Sequence, residues 1–272
     1  EIYAPDGKAV VWYNGNNAFS FSNGINEELS LSSKVVDITA ETVCDVIKSC
    51  YGDMERLVKL QGNCSSDLVI KMGAALKENP NAKIILDLGD VSGLTEIPYE
   101  AFVYNNNLVE ITLPESVNLI ADWSFAYSNL RAINIPANVT AIGDGAFYNC
   151  DVLETITFAD GDKALTFGGN KTNTNDDVND IRYLGALQNT KVTKINFPSR
   201  LKAVANYEFY GMSKVTEITF GENSNVEIIG ASAFEGTSAT GHTVQSKVVS
   251  LGERAFFGVK TVGEVTFHAT TT

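Results

Sequence analysis

Cations are scarce in this chain. Its 272 residues hold 20 Lys and Arg against 33 Asp and Glu, a net charge of −13. A nucleic-acid binder needs Lys and Arg to displace counterions from phosphate, so that class is excluded. Electrostatic docking on anionic lipid is disfavoured for the same reason. Long apolar runs are also missing. None approaches the roughly 20 residues of a membrane span, so direct membrane insertion is not expected. Histidine is limited to His242 and His268, both near the C-terminus. There is no G-x-S-x-G, no H-E-x-x-H and no G-x-x-x-x-G-K-[ST]. The chain is therefore read as non-enzymatic, with no cofactor and no metal.

Four cysteines are too few for a disulfide scaffold in a chain of this length. Cys44 and Cys50 fall six apart on one expected helix, on poorly matched faces, so a pair that includes Cys64 is the better one; pairing stays open. Zinc lacks a fourth ligand nearby. Cys150 falls where other copies of a repeat place Asn106 or Ser128, and it is read as a small core filler. The chain opens Glu1-Ile2-Tyr3 with no Met and no apolar leader. The expectation is that an export signal has been removed or the ends trimmed, which makes the protein exported: cell-surface, secreted or periplasmic.

What is present is a repeat. Phe102, Phe125, Phe147, Phe209, Phe234 and Phe256 recur at intervals of 23, 22, 62, 25 and 22 residues. A fixed period in that range signals a solenoid, whose coils bury their apolar faces only by stacking. One copy runs Val139-Thr140-Ala141-Ile142-Gly143-Asp144-Gly145-Ala146-Phe147, then a turn, then Leu153-Glu154-Thr155-Ile156-Thr157-Phe158. The second half alternates as a strand does, with Ile156 and Phe158 inward and Thr155 and Thr157 outward. Pro114, Pro136 and Pro198 each follow such a strand and end its pairing.

The fold class is α/β: a solenoid with parallel strands on one face and short helical corners on the other, preceded by a small α+β N-terminal cap. Residues 1–56 do not repeat. Ala9–Tyr13 and Phe19–Ser22 flank Asn14-Gly15-Asn16-Asn17 as a hairpin, and a helix capped by Thr39 runs to about Cys50. Residues 57–92 form a βαβ capping unit, its helix capped by Ser65 or Ser66 and buried through Leu68, Met72, Ala75 and Leu76. Residues 93–159 are a first array. Residues 160–190 are an irregular acidic insert, expected as a surface loop or short extra strands, with Leu187 standing in for the repeat Phe. Residues 191–272 are a second array.

Ile142 to Phe158 follows the pattern I-x-x-x-A-F-x-x-C-x-x-L-x-x-I-x-I-P, with Phe158 at the last Ile. Leu108–Pro114 and Leu130–Pro136 match its strand half. These residues resemble the BspA-like leucine-rich repeats of bacterial surface and secreted proteins, over about residues 57–267. The resemblance implies a leucine-rich repeat solenoid, surface exposure, and adhesion to host matrix proteins or other cells. It implies no catalytic residues, and the partner does not transfer from one member to another.

Two sets of residues are candidates for contact with a partner. The outward strand positions Glu110, Thr112, Asn134, Thr155, Thr157, Lys194, Asn196, Glu217 and Thr219 form a hydrogen-bonding row suited to a protein strand or a glycan. The plainer reading is that Thr fits a solvated strand. Two residues before the repeat Phe stand Trp123 and Tyr207, at a position that varies freely and so faces solvent. Asp160, Asp162, Asp176, Asp177 and Asp180 could supply oxygens to Ca²⁺, but their spacing fits no EF-hand, and a solvated loop is the simpler reading. The principal functional reading is a surface protein that binds a host-matrix or cell-surface protein, or a glycan. The alternative is a periplasmic or envelope scaffold that self-associates through repeat ends or exposed aromatic patches.

Overall fold

The computed structural model describes residues 9–13, 18–19, 40–50, 55–168, 184–220, 224–239, 244–259 and 265–267. The N-terminal part holds β1 (Ala9–Tyr13), β2 (Ala18–Phe19), α1 (Ala40–Ser49), β3 (Glu55–Asn63), α2 (Ser66–Lys77) and β4 (Lys83–Ser92). β1 and β2 form an antiparallel hairpin, and β3 runs parallel to both β1 and β4. Ser65 is the cap of α2: its Oγ accepts from the Leu68 amide at 3.2 Å. Asp67 in the first turn and Lys77 in the last suit the helix dipole. Leu68, Val69, Met72, Ala75 and Leu76 are buried, so α2 closes one end of the core. It packs closely enough that a Cβ on Gly73 would lie 1.8 Å from the Ala101 carbonyl oxygen.

The solenoid then alternates β5 (Glu96–Ile97), β6 (Leu108–Thr112), β7 (Leu119–Ile120), β8 (Ala132–Ile135), β9 (Ala141–Ile142), β10 (Thr155–Phe158) and β11 (Leu165–Phe167). It continues with β12 (Lys194–Phe197), β13 (Leu201–Val204), β14 (Glu217–Phe220), β15 (Ile228–Ile229), β16 (Val244–Val248), β17 (Ser250–Leu251) and β18 (Val265–Phe267). The odd-numbered strands from β5 to β17 form one parallel sheet of seven, one strand per coil. The even-numbered strands form the facing row: β4, β6, β8 and β10 in the sheet begun by the cap, then the pairs β12–β14 and β16–β18.

A corner joins each odd strand to the next even one. These corners were expected to be helical, but they are runs of tight turns. Every second amide is spent inside the corner, as when Ala101 and Val103 donate to the Pro98 and Glu100 carbonyls. The alternate amides of Phe102 and Tyr104 donate instead to Ser124 and Ala126 of the next coil, at 2.7 and 2.9 Å. A helix would consume both sets internally and leave nothing to bind the neighbouring coil. The turns need left-handed residues two before and two after the central Phe. They are Glu100 and Tyr104, Trp123 and Tyr127, and Gly145 and Asn149 in the first three coils.

The repeat Phe rings stack through the core. Phe102–Phe125, Phe125–Phe147, Phe209–Phe234 and Phe234–Phe256 have centroids 5.2–5.3 Å apart and near-parallel planes. Between Phe147 and Phe209 the buried Leu187 replaces the ring. Phe167 and Phe197 close in beside the gap, each edge-on to Phe209 at 5.5 Å. Phe167 belongs to the segment read as the start of the insert, yet β11 pairs with both β9 and β13. The extra residues of this fourth coil thus lie between Gly168 and the corner that begins at Leu184. Asp176, Asp177 and Asp180 fall outside the described residues.

All four cysteines are free thiols, so no pair with Cys64 forms. Burial pushes Cys50, Cys64 and Cys150 up to about 11. Cys150 is a core filler, its thiol donating to the Phe125 carbonyl at 3.0 Å beside Ser128. The equivalent residue two coils earlier is the buried Asn105, not the exposed Asn106, because the level is set three residues after the Phe.

Candidate interaction surfaces

The outward row is brought together as its alternation requires. Glu110 and Thr112 lie on β6, Asn134 on β8, Thr155 and Thr157 on β10, Lys194 and Asn196 on β12, and Glu217 and Thr219 on β14. Much of its hydrogen-bonding capacity is used between coils. Thr157 Oγ1 donates to Asn134 Oδ1 at 2.8 Å, and Thr219 Oγ1 to Asn196 Oδ1 at 2.7 Å, each pair directly opposite in register. Lys194 meets Glu217 at 2.7 Å, while Arg131 bridges Glu55 and Glu110 at 2.8 and 3.2 Å. These are cross-strand pairs of the kind that stabilise a sheet, each worth a few tenths to about 1 kcal/mol.

Trp123 and Tyr207 occupy corners of different coils. Tyr207 contacts Tyr210 edge-on at 5.9 Å. Trp123 sits in a larger group that spacing from the Phe alone does not disclose. Tyr104 stacks on Tyr127 at 4.6 Å, Trp123 stacks on Tyr127 at 6.4 Å, and Tyr148 lies across both at 5.5–5.6 Å. Tyr104 is 59% exposed and the neighbouring Tyr99 60%. The signal available in the sequence is that Tyr104 and Tyr127 stand at the same offset after successive repeat Phe residues. Parallel coils then place them one above the other.

The electrostatics of this corner are acidic. The phenol of Tyr99 is raised by its hydrogen bond to the Glu100 carboxylate. Tyr127 is raised first by burial and then by Tyr148 and Tyr104. Both phenols stay protonated at neutral pH, their hydroxyls hydrogen-bonded to Glu100 and Tyr148 respectively. Asp122 accepts the Asp144 amide at 2.8 Å, which holds its carboxylate beside Trp123.

Asp160 is a turn partner, accepting from the Ser199 amide and hydroxyl at 3.2 and 3.4 Å. Among the described residues, no group of three or more His, Cys, Asp or Glu could hold a metal ion. A groove of about 430 Å³ runs between α1 and α2, lined by Cys44, Lys48, Lys71 and Glu78 among others. A Lys48–Glu78 ion pair at 2.7 Å spans it. Among the described residues, no helix is long and apolar enough to cross a membrane.

The family model for a BspA-type leucine-rich repeat region matches residues 88–184 and 183–272, in six copies. The chain belongs to the BspA-type leucine-rich repeat family. Two solved structures resemble it. One is a leucine-rich repeat protein from Bacteroides ovatus ATCC 8483, at 20% identity and a TM-score of 0.42, covering 64% of this chain and 46% of that one. The other is a leucine-rich cell surface protein from Faecalibacterium prausnitzii A2-165, at 19% identity and a TM-score of 0.32, covering 71% of this chain and 62% of that one. This BspA-type chain thus spans about half to three-fifths of their lengths. No curated protein sequence matches it. A leucine-rich repeat solenoid of this kind is typically a binding scaffold, and no enzymatic family is indicated.

Proposed function

We propose that this chain is the non-enzymatic binding module of an exported, surface-exposed protein that adheres to a host-matrix or cell-surface protein, or to a glycan on one. Membership of the BspA-type repeat family carries this reading. A stacked solenoid offers the same side-chain positions coil after coil, which suits a long shallow contact better than a catalytic pocket. The proposed contact residues are the outward row from Glu110 to Thr219 and the corner aromatics Trp123 and Tyr207. Binding of the purified chain to immobilised fibronectin, fibrinogen and whole cells tests the proposal. Saturable binding to at least one surface is expected, and none at micromolar protein across a broad matrix panel would sink it.

A second reading, a self-associating envelope scaffold, is favoured by a specific patch. Val249, Leu251 and Phe257 are 55%, 40% and 58% exposed around β17. β17 is the outermost strand of its sheet among the described residues. Light scattering separates the two, because a strict monomer at high concentration removes the scaffold.

A further inference from the structure

The acidity is not spread along the chain. Residues 84–162 contain twelve Asp and Glu and a single basic residue, Arg131. Ten of the twelve fall within residues 93–162, on the coils centred on Phe102, Phe125 and Phe147, whereas Asp87 and Asp90 lie on β4 and pair with Lys59. Arg131 is committed to Glu55 and Glu110 on the strand row, away from the corner. The corner of the same coils carries Tyr99, Tyr104, Trp123, Tyr127 and Tyr148, with Glu100 and Asp122 among them.

The far end of the same corner shows what such a surface accommodates. There Arg254 stands two residues before Phe256, at the level that Trp123 occupies in the second coil. Its guanidinium lies 4.0 Å from the centroid of the Phe257 ring, one residue after the Phe, at the level of Tyr148. Its Nε donates to Glu235 Oε2 at 3.0 Å, and its Nη2 donates to the other carboxylate oxygen. The last coils thus fill an aromatic-and-carboxylate site with the chain's own cation. In the first three coils the same levels hold Glu100, Trp123 and Tyr148, and residues 98–130 contain no Lys or Arg at all.

From this juxtaposition we propose that the corner of the first three coils docks an extended, arginine- or lysine-bearing segment of a protein partner. The inference rests on the interaction reading above and names its surface and chemistry. The exposed ring of Tyr104 and the crosswise ring of Tyr148 supply cation–π contacts, as Phe257 does for Arg254. Glu100 and Asp122 supply the charge, and the exposed Tyr104 hydroxyl can donate to a backbone carbonyl. Adjacent coils lie roughly 4.8 Å apart, so three coils span about the length of three residues of extended chain. An anionic glycan or an acidic peptide is repelled here, and a neutral glycan gains nothing from the concentrated carboxylates. The near-neutral second half of the chain, residues 163–272, makes a second copy a poor occupant.

The test is fluorescence anisotropy with the whole chain and labelled Arg-Gly, Lys-Gly and Glu-Gly repeat peptides of equal length, with chitohexaose as competitor. The variant combines Tyr104→Asn, Trp123→Gly and Tyr127→Asn. Asn149 and Gly145 hold the equivalent left-handed positions in the third coil, so the backbone is preserved, which circular dichroism checks. Saturable binding of the Arg-Gly peptide is expected, with none of the Glu-Gly peptide. Removing stacked cation–π contacts should weaken it about tenfold in the triple variant. The control Tyr210→Ala, which removes an exposed ring in the fifth coil, should leave it unchanged. Equal binding by wild type and triple variant would reduce the effect to bulk charge and overturn the proposal. Tighter displacement by chitohexaose, or no saturable binding of the Arg-Gly peptide at about 1 mM, overturns it too. If those failures coincide with binding in the matrix panel, this inference alone falls and the broader function stands.

Discussion

Arg200 Nη2 donates to the carbonyl of Pro136, 64 residues earlier in the chain, at 3.0 Å. The same buried guanidinium reaches the Ala159 carbonyl through Nε at 2.9 Å and the Val139 carbonyl through Nη1. The position is a recurrent one, two residues after the proline that ends an even strand. In earlier coils Ser116 Oγ and Asn138 Nδ2 there donate back to the Leu94 and Glu115 carbonyls at 2.6 and 2.8 Å. Arg200 does the same work across a coil with a long excursion, and only Arg has the reach and the planar set of donors. Arg200→Met should leave the Ala159 and Val139 carbonyls without their guanidinium donor and cost about 3 kcal/mol. Arg200→Lys should recover less than half. Urea melts measure both, and a wild-type midpoint for Arg200→Met would show that the clasp stabilises nothing.

Phe147 stacks on Phe125 at 5.3 Å with planes 3° apart, and it is fully buried. Phe147→Ala should cost about 3–5 kcal/mol, because Phe125 on one side and Leu187 on the other cannot collapse into the space. Thr157→Ala, two coil edges away on the surface, removes one exposed hydrogen bond to Asn134 and should cost under about 1 kcal/mol. Equal urea midpoints for the two variants would show that the Phe column does not carry the core.

The Phe column, the strand alternation and α2 were legible because burial imposes a period, and a period survives in any single sequence. The corners were not. Trp123, Tyr127 and Tyr207 adopt φ of 58–59° without being Gly or Asn, so the local chemistry that marks a left-handed turn is absent. The ladder to the next coil holds them there, and that is a tertiary effect. Leu165–Phe167 was hidden for a different reason: three residues beside an acidic stretch show no period of their own. Of the candidate surfaces, Trp123 was visible by its offset from Phe125. Tyr127 lies on the other side of the Phe and meets Trp123 only when the corner turns back on itself, with Tyr104 joining through Tyr127.

Gly73 separates two opposing effects. Ala is the better helix former by about 1 kcal/mol, which alone would make Gly73→Ala stabilising. Yet its Cβ would stand 1.8 Å from the Ala101 carbonyl oxygen, and backbone on both sides cannot yield cheaply. The expected outcome is a net loss of about 1–3 kcal/mol, with α2 lifted from the first corner. Limited proteolysis of residues 55–92 should accelerate in step. A rise in melting temperature would mean that α2 does not pack against the solenoid as described.

Glu235 and Arg254 give the last coils a pH dependence with a fixed sign. The Arg254 guanidinium holds the Glu235 carboxyl below the usual carboxylate range, with burial opposing. A carboxyl whose folded value is depressed contributes stability above its unfolded value, near 4.3, and loses it as pH falls through the folded one. The Arg254–Phe257 contact does not titrate in that range. The difference in melting temperature between wild type and Arg254→Met should therefore be constant from about pH 6 to 8, the unfolded carboxyl being almost wholly ionised there. Below about pH 4 it should shrink to the smaller part that the ring contact supplies. A difference that stays flat through the acid limb would assign the whole effect to the ring and none to the ion pair.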